Sequence, residues 1–516
     1  MTPLIDGHQT MLAMSRAFLA ARSSIVLAAW DIRADLLLVR GVDTVAREDG
    51  TESEHASFQA LADAGLSPEA IAFWNTQELT VGNVLGFAVS RGAQVKLLLW
   101  DAPGMAHLTN NPSAQADALR AVGVDVLLDD SCRHITSAVR ALHQKCAVID
   151  GTLAFVGGVD LTSQETGDYD RWDTNHHPCT SEERVFDTKP GAHPWHDVHT
   201  RIEGPAVADV LANIAQRWDD VAARHGDVSP WPASLAATSI PPIRGGVLAQ
   251  VSRTIPPGTY PSLPRGETTI LEAYRAAIGQ ARHYIYLESQ YFWRDVFLGL
   301  DNQLWGPQSP QMRAVIEDLA AALRRDVTIT MLLPDHPNTG RAYTDGGLQT
   351  LRKLARGADR ERLRVLTLGN SEDRDETISY RPVYVHAKVC IVDDVWWMAG
   401  SANLNSRGMH GDAEINVAAM DPATARHLRL SLWDEHAHPS SAEMAQLNDP
   451  AMGAALLWRR ARENAGKIAA KQHLHGHLLP YLTHHEAAER GVDVSREHGW
   501  LDSLNPARAH HAEKYL

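Results

Sequence analysis

His143-Gln144-Lys145-Cys146-Ala147-Val148-Ile149-Asp150 and, far downstream, His386-Ala387-Lys388-Val389-Cys390-Ile391-Val392-Asp393 are one pattern written twice. The first copy continues to Gly157, Gly158 and Asp160, the second to Gly400, Ser401 and Asn403, at matching offsets from the histidine. Chance matching of common residue types rarely keeps so many positions in register, so the chain reads as an internal duplication. Two such histidines, brought together by a pseudo-twofold arrangement, can stand on opposite sides of one substrate atom.

The segments around each motif also recur in order. In the first half, helical apolar spacing over 8–22, 80–93 and 113–122 alternates with short apolar runs over 25–30, 95–100 and 124–128. The motif strand over 142–149, a turn at Asp150-Gly151 and a partner strand over 153–156 follow. In the second half, helices over 268–281, 311–325 and 346–356 alternate with strands over 284–287, 327–333 and 363–368, before a motif strand over 383–392. This alternation predicts an α/β unit with a largely parallel sheet in each half. Between them, 227–266 holds Pro230, Pro232, Pro241, Pro242, Pro256, Pro257, Pro261 and Pro264, a density that predicts a long crossing connection. The halves therefore run over 1–226 and 267–516, the latter including a C-terminal segment.

A chain of 516 residues with 44% hydrophobic content can bury large cores. Its 48 Lys plus Arg against 63 Asp plus Glu give a net charge of −15, which argues against a partner bound through many nucleic-acid phosphates. Cys132, Cys146, Cys179 and Cys390 are too few for a disulfide framework in so long a chain. The N-terminal stretch lacks a basic leader followed by an uninterrupted apolar run, and no segment approaches eighteen consecutive apolar residues. A cytoplasmic protein, or one exported without a cleavable leader, with no transmembrane segment, is expected.

On a strand, side chains two apart share a face, so His143 is expected beside Lys145 and His386 beside Lys388. Two imidazoles and two ammonium groups facing one cavity suit a phosphodiester. The lysines hold anionic oxygens, one histidine attacks phosphorus, and the other protonates the leaving alcohol. The scheme needs no metal and no cofactor. Asp150 and Asp393 have the opposite parity and fall at turns, so they are read as organising the motif rather than carrying protons. Gly158 and Ser401 belong to the small pairs that would let backbone approach a bound anion closely. Each histidine needs an acceptor on its other ring nitrogen. The expected acceptor is Asp173 for the first half and Glu414 for the second.

These motifs resemble the phospholipase D superfamily. The segments Phe155-Val156-Gly157-Gly158-Val159-Asp160-Leu161, Arg171-Trp172-Asp173-Thr174, 194–211, 216–218, 285–292, 385–394, 400–407 and 476–481 are similar to the eukaryotic-type catalytic region in particular. The resemblance implies two similar α/β sandwich halves related by a pseudo-twofold, with one active site at their interface. It also implies hydrolysis of a glycerophospholipid to phosphatidic acid and its head-group alcohol, with transphosphatidylation to a second alcohol. A phosphohistidine on His143 is implied, with His386 as general acid and base. Asp160, Asp173, Asn403, Glu414, Gly158 and Ser401 take supporting or substrate-binding positions. The expected partner is a phospholipid at a membrane surface, contacted peripherally by a monomer. Ser289, Gly408 and Ala413 depart from the family pattern, and the stretch from Gly158 to Arg171 is longer than usual. The lipid-targeting modules of many relatives do not precede the motif region, so calcium-dependent docking is not expected.

Other clusters read more plainly. His176, His177, Cys179, His193, His196 and His199 match no closed zinc spacing. Trp172, Trp195, Trp293, Trp396 and Trp397 are read as core residues rather than as a ligand pocket. A cardiolipin synthase-type transferase and a superfamily nuclease are the competing activities.

Overall fold

The apolar runs that bracket each motif become the centre of a sheet. The computed structural model describes residues 1–40, 57–101, 111–132, 140–162, 169–170, 193–225, 230–235, 240–297, 305–335, 341–374, 377–494 and 499–504. The first half contributes β1 (Thr2–Ile5), β2 (Ser24–Ala29), β3 (Gln94–Trp100), β4 (Asp125–Asp129), β5 (Cys146–Ile149), β6 (Leu153–Gly157), β7 (Tyr169–Asp170), β8 (His193–His196) and β9 (Val198–Glu203). The second contributes β10 (Leu248–Ile255), β11 (Glu267–Thr268), β12 (Tyr284–Glu288), β13 (Asp295–Phe297), β14 (Trp305–Gln308), β15 (Thr328–Leu332), β16 (Leu363–Arg374), β17 (Thr377–Val385), β18 (Val389–Val392), β19 (Trp396–Gly400), β20 (Glu414–Met420) and β21 (Leu478–Pro480).

One sheet has the order β1-β9-β6-β5-β2-β3-β4, and the other contains the run β20-β19-β18-β12-β15-β16. From β9 to β4 the successive pairings are three antiparallel and two parallel, and from β20 to β16 they follow the same sequence. The duplication read in the motifs therefore extends to the strand order of both halves. β2 and β3 are almost wholly buried apolar runs, as strands covered on both faces must be.

Helices cover these sheets much as the apolar spacing predicts, at Asp6–Ala20, Val81–Ser90, Pro112–Ala121, Thr269–Gln280, Pro310–Arg324 and Arg341–Leu354. Three longer helices, Ala206–Ala222, Pro422–Ala437 and Pro450–Ala469, complete the layers. Each half has a core of its own, and two further cores straddle the seam. One joins Val26, Val156 and Ile202 to Ile415 and Val417, and the other joins Ile5 and Val198 to Val385 and Trp397. Among the described residues, no helix is long and apolar enough to cross a membrane.

Three details depart from the sequence expectations. First, the motif strands are shorter than their apolar runs suggest. Pairing begins only at Cys146 in the first copy, and in the second it lapses at 386–388 between β17 and β18. The physical reason is a change of partner: His143 donates its backbone N–H to Ala413 O at 2.8 Å, and His386 donates to His196 O at 2.8 Å. Both acceptors lie on the opposite half. Second, the proline-rich stretch of 227–266 is not connection throughout, because β10, with the alternating sequence Leu248–Ile255, lies antiparallel to β20. Third, β8 leaves its own half and runs parallel to β17 in the other sheet.

Candidate active site

The backbone of each motif histidine bonds to the other half, and the histidine, lysine and turn aspartate of each motif each have a polar partner. Asp150 has φ +50° and Asp393 φ +56°, in the left-handed region that Asp tolerates in turns. Asp150 accepts hydrogen bonds from the backbone N–H groups of Arg22, Ser23 and Ser24, and Asp393 from those of Arg282, His283 and Tyr284. Both therefore tie the far turn of the motif hairpin to the start of the central strand, β2 or β12. They stand at the end of the strand remote from the histidines, as organising residues do.

The small residues have a different reason from the one expected of them. A Cβ on Gly157 would lie 2.4 Å from the His199 Cα, and one on Gly158 2.0 Å from Asp197 Oδ1. A Cβ on Gly400 would lie 2.1 Å from Asn416 Oδ1. The glycines make room for side chains of the neighbouring strand. Ser401 takes the place of the second glycine and uses its hydroxyl, 2.5 Å from Glu414 Oε2.

Those neighbouring side chains hold the histidines, and they do so crosswise. Glu414, expected beside His386 of its own half, instead accepts from His143, with both carboxylate oxygens 3.1 Å from Nδ1. His386 is held by Asp197 of the first half, at 2.6 Å between Nδ1 and Oδ2. Asp173 lies outside the described residues. The crossing follows from the partner exchange in the backbone, which carries each histidine to the start of a strand of the other half, β20 or β9. Asp197 was not singled out in the sequence, although a signal existed. Asp197 immediately precedes β9 and Glu414 opens β20, and each stands eight residues before the proline at the head of a helix, Pro205 or Pro422.

A carboxylate accepting at Nδ1 places the hydrogen of each ring on that nitrogen. Burial, then the charges of Lys145 and Lys388, hold His143 well below the ordinary imidazole value, so its ring is neutral. Burial likewise pushes the Asp197 carboxyl up, and burial together with the charge of Asp412 pushes Glu414 well up. Aromatic rings wall the rings in. Trp30 stands edge-on to His143 with centroids 5.9 Å apart, and Trp195 packs on His386 at 4.7 Å. Trp195, Trp293 and Trp397 are buried, Trp396 is half-buried at the end of β19, and Trp172 lies outside the described residues.

The lysines repeat one local geometry: each Nζ donates to the carbonyl oxygen of its own motif histidine. Beyond that they differ. Lys145 is paired with Asp160 at 3.2 Å, whereas Lys388, among the described residues, reaches the Gln290 amide oxygen at 3.4 Å and forms no ion pair. Asn403, at the position of Asp160 in the repeat, donates to the same Gln290 oxygen at 3.2 Å. Burial pushes Lys388 down to about 7, with Asp197 pulling the other way. Gln290 was another residue missed, as was Gln144, whose amide bonds the Glu414 carbonyl at 3.1 Å and fixes the first motif to the second half. Of the histidines and cysteine weighed as a zinc cluster, His176, His177 and Cys179 lie outside the described residues. His199 is buried with its pKa driven down to about 3 by that burial, and His196 faces carboxylates.

The site's elements match known families. The family described as "Phospholipase D" matches residues 72–239, and that described as "Cardiolipin synthase, PLD-like domain" matches 274–433. Phospholipase D alpha 3 of Arabidopsis thaliana is 29% identical over 464 residues, covering 66% of this chain and 54% of that protein. Phospholipase D alpha 1 of Zea mays is 25% identical over 536 residues, covering 78% of this chain and 64% of that one. The chain thus spans between 54% and 64% of the length of these two relatives. The solved phosphatidylserine synthase of Haemophilus influenzae is similar at a TM-score of 0.49 with 13% identity, covering 92% of this chain and 95% of that one. With a phospholipase D-type family matched in each half, and relatives aligned across both, the chain belongs to the phospholipase D superfamily.

Proposed function

We propose that the protein is a phospholipase D-type phosphodiesterase that hydrolyses glycerophospholipids to phosphatidic acid and the head-group alcohol through a phosphohistidine. The observation that carries this reading is the crossed pairing of His143 with Glu414 and His386 with Asp197, beside two buried lysines. His143, kept neutral, attacks phosphorus with Nε2. The bond from phosphorus to the leaving oxygen breaks as His386 delivers a proton to that oxygen. His386, now a base, takes a proton from water. The hydroxide so formed attacks phosphorus, the P–N bond breaks, and phosphatidic acid leaves. Lys145 and Lys388 neutralise the non-bridging oxygens throughout. An alcohol in place of water gives the transphosphatidylation product by the same steps.

The names of the relatives support a phospholipid substrate. A second reading, phosphatidyl transfer between lipids, is favoured by the family description matched over 274–433. One experiment separates the two. The purified protein is incubated, without added metal, with vesicles of phosphatidylcholine, phosphatidylethanolamine and phosphatidylglycerol plus ethanol. Phosphatidic acid and phosphatidylethanol are the expected products. Cardiolipin without phosphatidic acid would favour the transferase, and cleavage of DNA or RNA with neither lipid product would overturn both. Trapped phosphoenzyme is expected on His143, and label on His386 would reverse the two roles.

A further inference from the structure

Behind the Asp197 to His386 pair lies a ladder of buried ionisable side chains that the proposed chemistry does not use. Asp6 opens the helix Asp6–Ala20, His196 ends β8, Glu288 ends β12, and Glu435 and His436 lie in the last turn of the helix Pro422–Ala437. Asp6, His196, Glu288 and His436 are 0% exposed, and Glu435 is 9% exposed. His196 Nδ1 is 2.8 Å from Asp6 Oδ1 and 3.3 Å from Glu435 Oε1, and its Nε2 is 3.0 Å from Glu288 Oε2. The other Glu288 oxygen receives His436 Nε2 at 3.0 Å and the Tyr286 hydroxyl at 2.6 Å.

Such a donor set raises the question of a metal ion, since Asp6, His196 and Glu435, or His196, Glu288 and His436, bring ligand atoms within 4.8 Å of one another. The geometry answers for a proton. Two ligands of one tetrahedral zinc stand about 3.3 Å apart at the usual bond lengths. The 2.8 Å between His196 Nδ1 and Asp6 Oδ1 is instead that of a direct charge-assisted hydrogen bond. With a carboxylate oxygen on each of its nitrogens, the ring must donate at both.

The ladder touches the proposed acid and base at two points. The His196 carbonyl accepts the backbone N–H groups of His386 at 2.8 Å and Ala387 at 3.2 Å. The next residue is Asp197, whose N–H donates to Asp6 Oδ1 at 3.0 Å while the Asp6 N–H donates to the Asp197 carbonyl at 2.8 Å. We propose that His196 is a positioning residue, an imidazolium clamped between the Asp6 and Glu288 carboxylates, that sets the place and basicity of His386 through Asp197. Burial opposes the charge on this ring, but Asp6 and Glu288 outweigh it and hold the imidazole well above its ordinary value. Burial also opposes the Glu288 charge, and His196 with His436 brings that carboxyl down to about 2. Burial holds His436 below its ordinary value, as a neutral donor to Glu288. The corresponding support of the first motif is built differently, on Arg217, which bonds Gln144, Tyr260 and Asp129 and has no proton to exchange near neutrality. The half that moves protons thus rests on a group whose charge comes from a proton.

This inference rests on the reading of His386 as acid and base, and the test keeps the two apart. The full chain is assayed on phosphatidylcholine in mixed micelles as His196→Gln and Asp6→Asn, beside the wild type. His196→Gln removes a buried cation from among three carboxylates. It should lower kcat about tenfold to a hundredfold with KM changed less than about threefold, and move the basic limb of kcat, where bound substrate keeps Lys388 charged, up by about one pH unit. Asp6→Asn keeps an oxygen acceptor for the Asp197 N–H but removes a negative charge, so the same limb should move down. Opposite shifts are beyond what loosened packing produces. Equal shifts, or activity losses that track only a fall in Tm, would overturn the proposal, as would a stoichiometric transition metal that His196→Gln loses. In parallel, His386→Ala is assayed on phosphatidylcholine and on phosphatidyl-p-nitrophenol, whose leaving group needs no proton. Loss of choline release with a surviving p-nitrophenol burst is expected. Unimpaired choline release would refute the acid and base reading itself, whatever His196→Gln does.

Discussion

Binding of a phosphodiester should draw a proton from solution, and Lys388 should be its destination. Lys388 is 1% exposed, and its hydrogen-bond acceptors among the described residues are neutral, the His386 carbonyl and the Gln290 amide, with burial outweighing the pull of Asp197. With the pKa pushed down to about 7, only about one molecule in ten carries the Lys388 charge at pH 8 in the empty site. An anionic phosphoryl oxygen at the ammonium restores the charged form. Binding should therefore take up about 0.9 proton per site at pH 8, about 0.5 at pH 7 and about 0.1 at pH 6. Affinity should fall roughly tenfold per pH unit above pH 8. Isothermal titration with dibutyl phosphate, a monoanion with no proton of its own to lose in this range, reads the uptake when repeated in two buffers of different ionisation enthalpy. In Lys388→Met the lysine's share disappears, and what remains belongs to the histidines. Equal uptake by the wild type and Lys388→Met at pH 8, or uptake that does not rise from pH 6 to pH 8, would refute the reasoning. Stability should show the same group with a definite sign. The unfolded chain keeps this lysine charged to about pH 10.4, whereas the folded chain releases the proton near 7. Folding therefore carries a penalty that is full below pH 7 and is relieved as pH rises, at roughly 1.4 kcal/mol per unit. The Tm advantage of Lys388→Met over the wild type should accordingly narrow between pH 7 and pH 9.

Three further outcomes follow from the site. Asp197→Asn and Glu414→Gln leave the shape intact but can favour the wrong ring tautomer, so each should lower kcat about 10²-fold to 10⁴-fold with little change in Tm; retention of more than a tenth of wild-type kcat in both would contradict the crossed pairing. Gly158→Ala places a methyl group 2.0 Å from Asp197 Oδ1 and should abolish phosphatidic acid formation while lowering Tm by several degrees, so a normal Tm with full activity speaks against this packing. Asp150→Ala removes the acceptor of three backbone N–H groups at the remote turn and should cost about 2–4 kcal/mol in urea unfolding while the folded fraction keeps its kcat; a lost kcat in fully folded protein would place Asp150 in the chemistry after all.

The repeat was legible because it is local: a histidine, a lysine two residues on, an apolar run and an aspartate turn lie within eight residues. Helix positions such as 310–324 and strands such as 94–100 were equally legible, since burial on one face or both imposes its period on the sequence. What the sequence concealed was which carboxylate meets which histidine. Glu414 follows His386 by twenty-eight residues, and proximity along the chain suggested proximity in space. The pairing depends on the exchange of backbone partners at His143 and His386, a long-range event that leaves no periodic trace. The glycines misled for a related reason. Gly157 and Gly158 carry no side chain because His199 and Asp197 occupy that space, and nothing local distinguishes this from a backbone shaped for a ligand. Asp197 itself was hidden inside Trp195-His196-Asp197, where its neighbours drew attention as histidines.

The crossed carboxylates also bear on how such a chain can change over time. After a duplication, one copy is ordinarily at liberty to drift, because the other retains the working parts. Here neither copy owns a complete set: the strand that begins at Glu414 serves the histidine of the first repeat, and Asp197 serves the histidine of the second. A lesion in either repeat is therefore felt in the other, and the two are held to a common history. Exchanging halves between distant relatives should fail unless both seams are matched together.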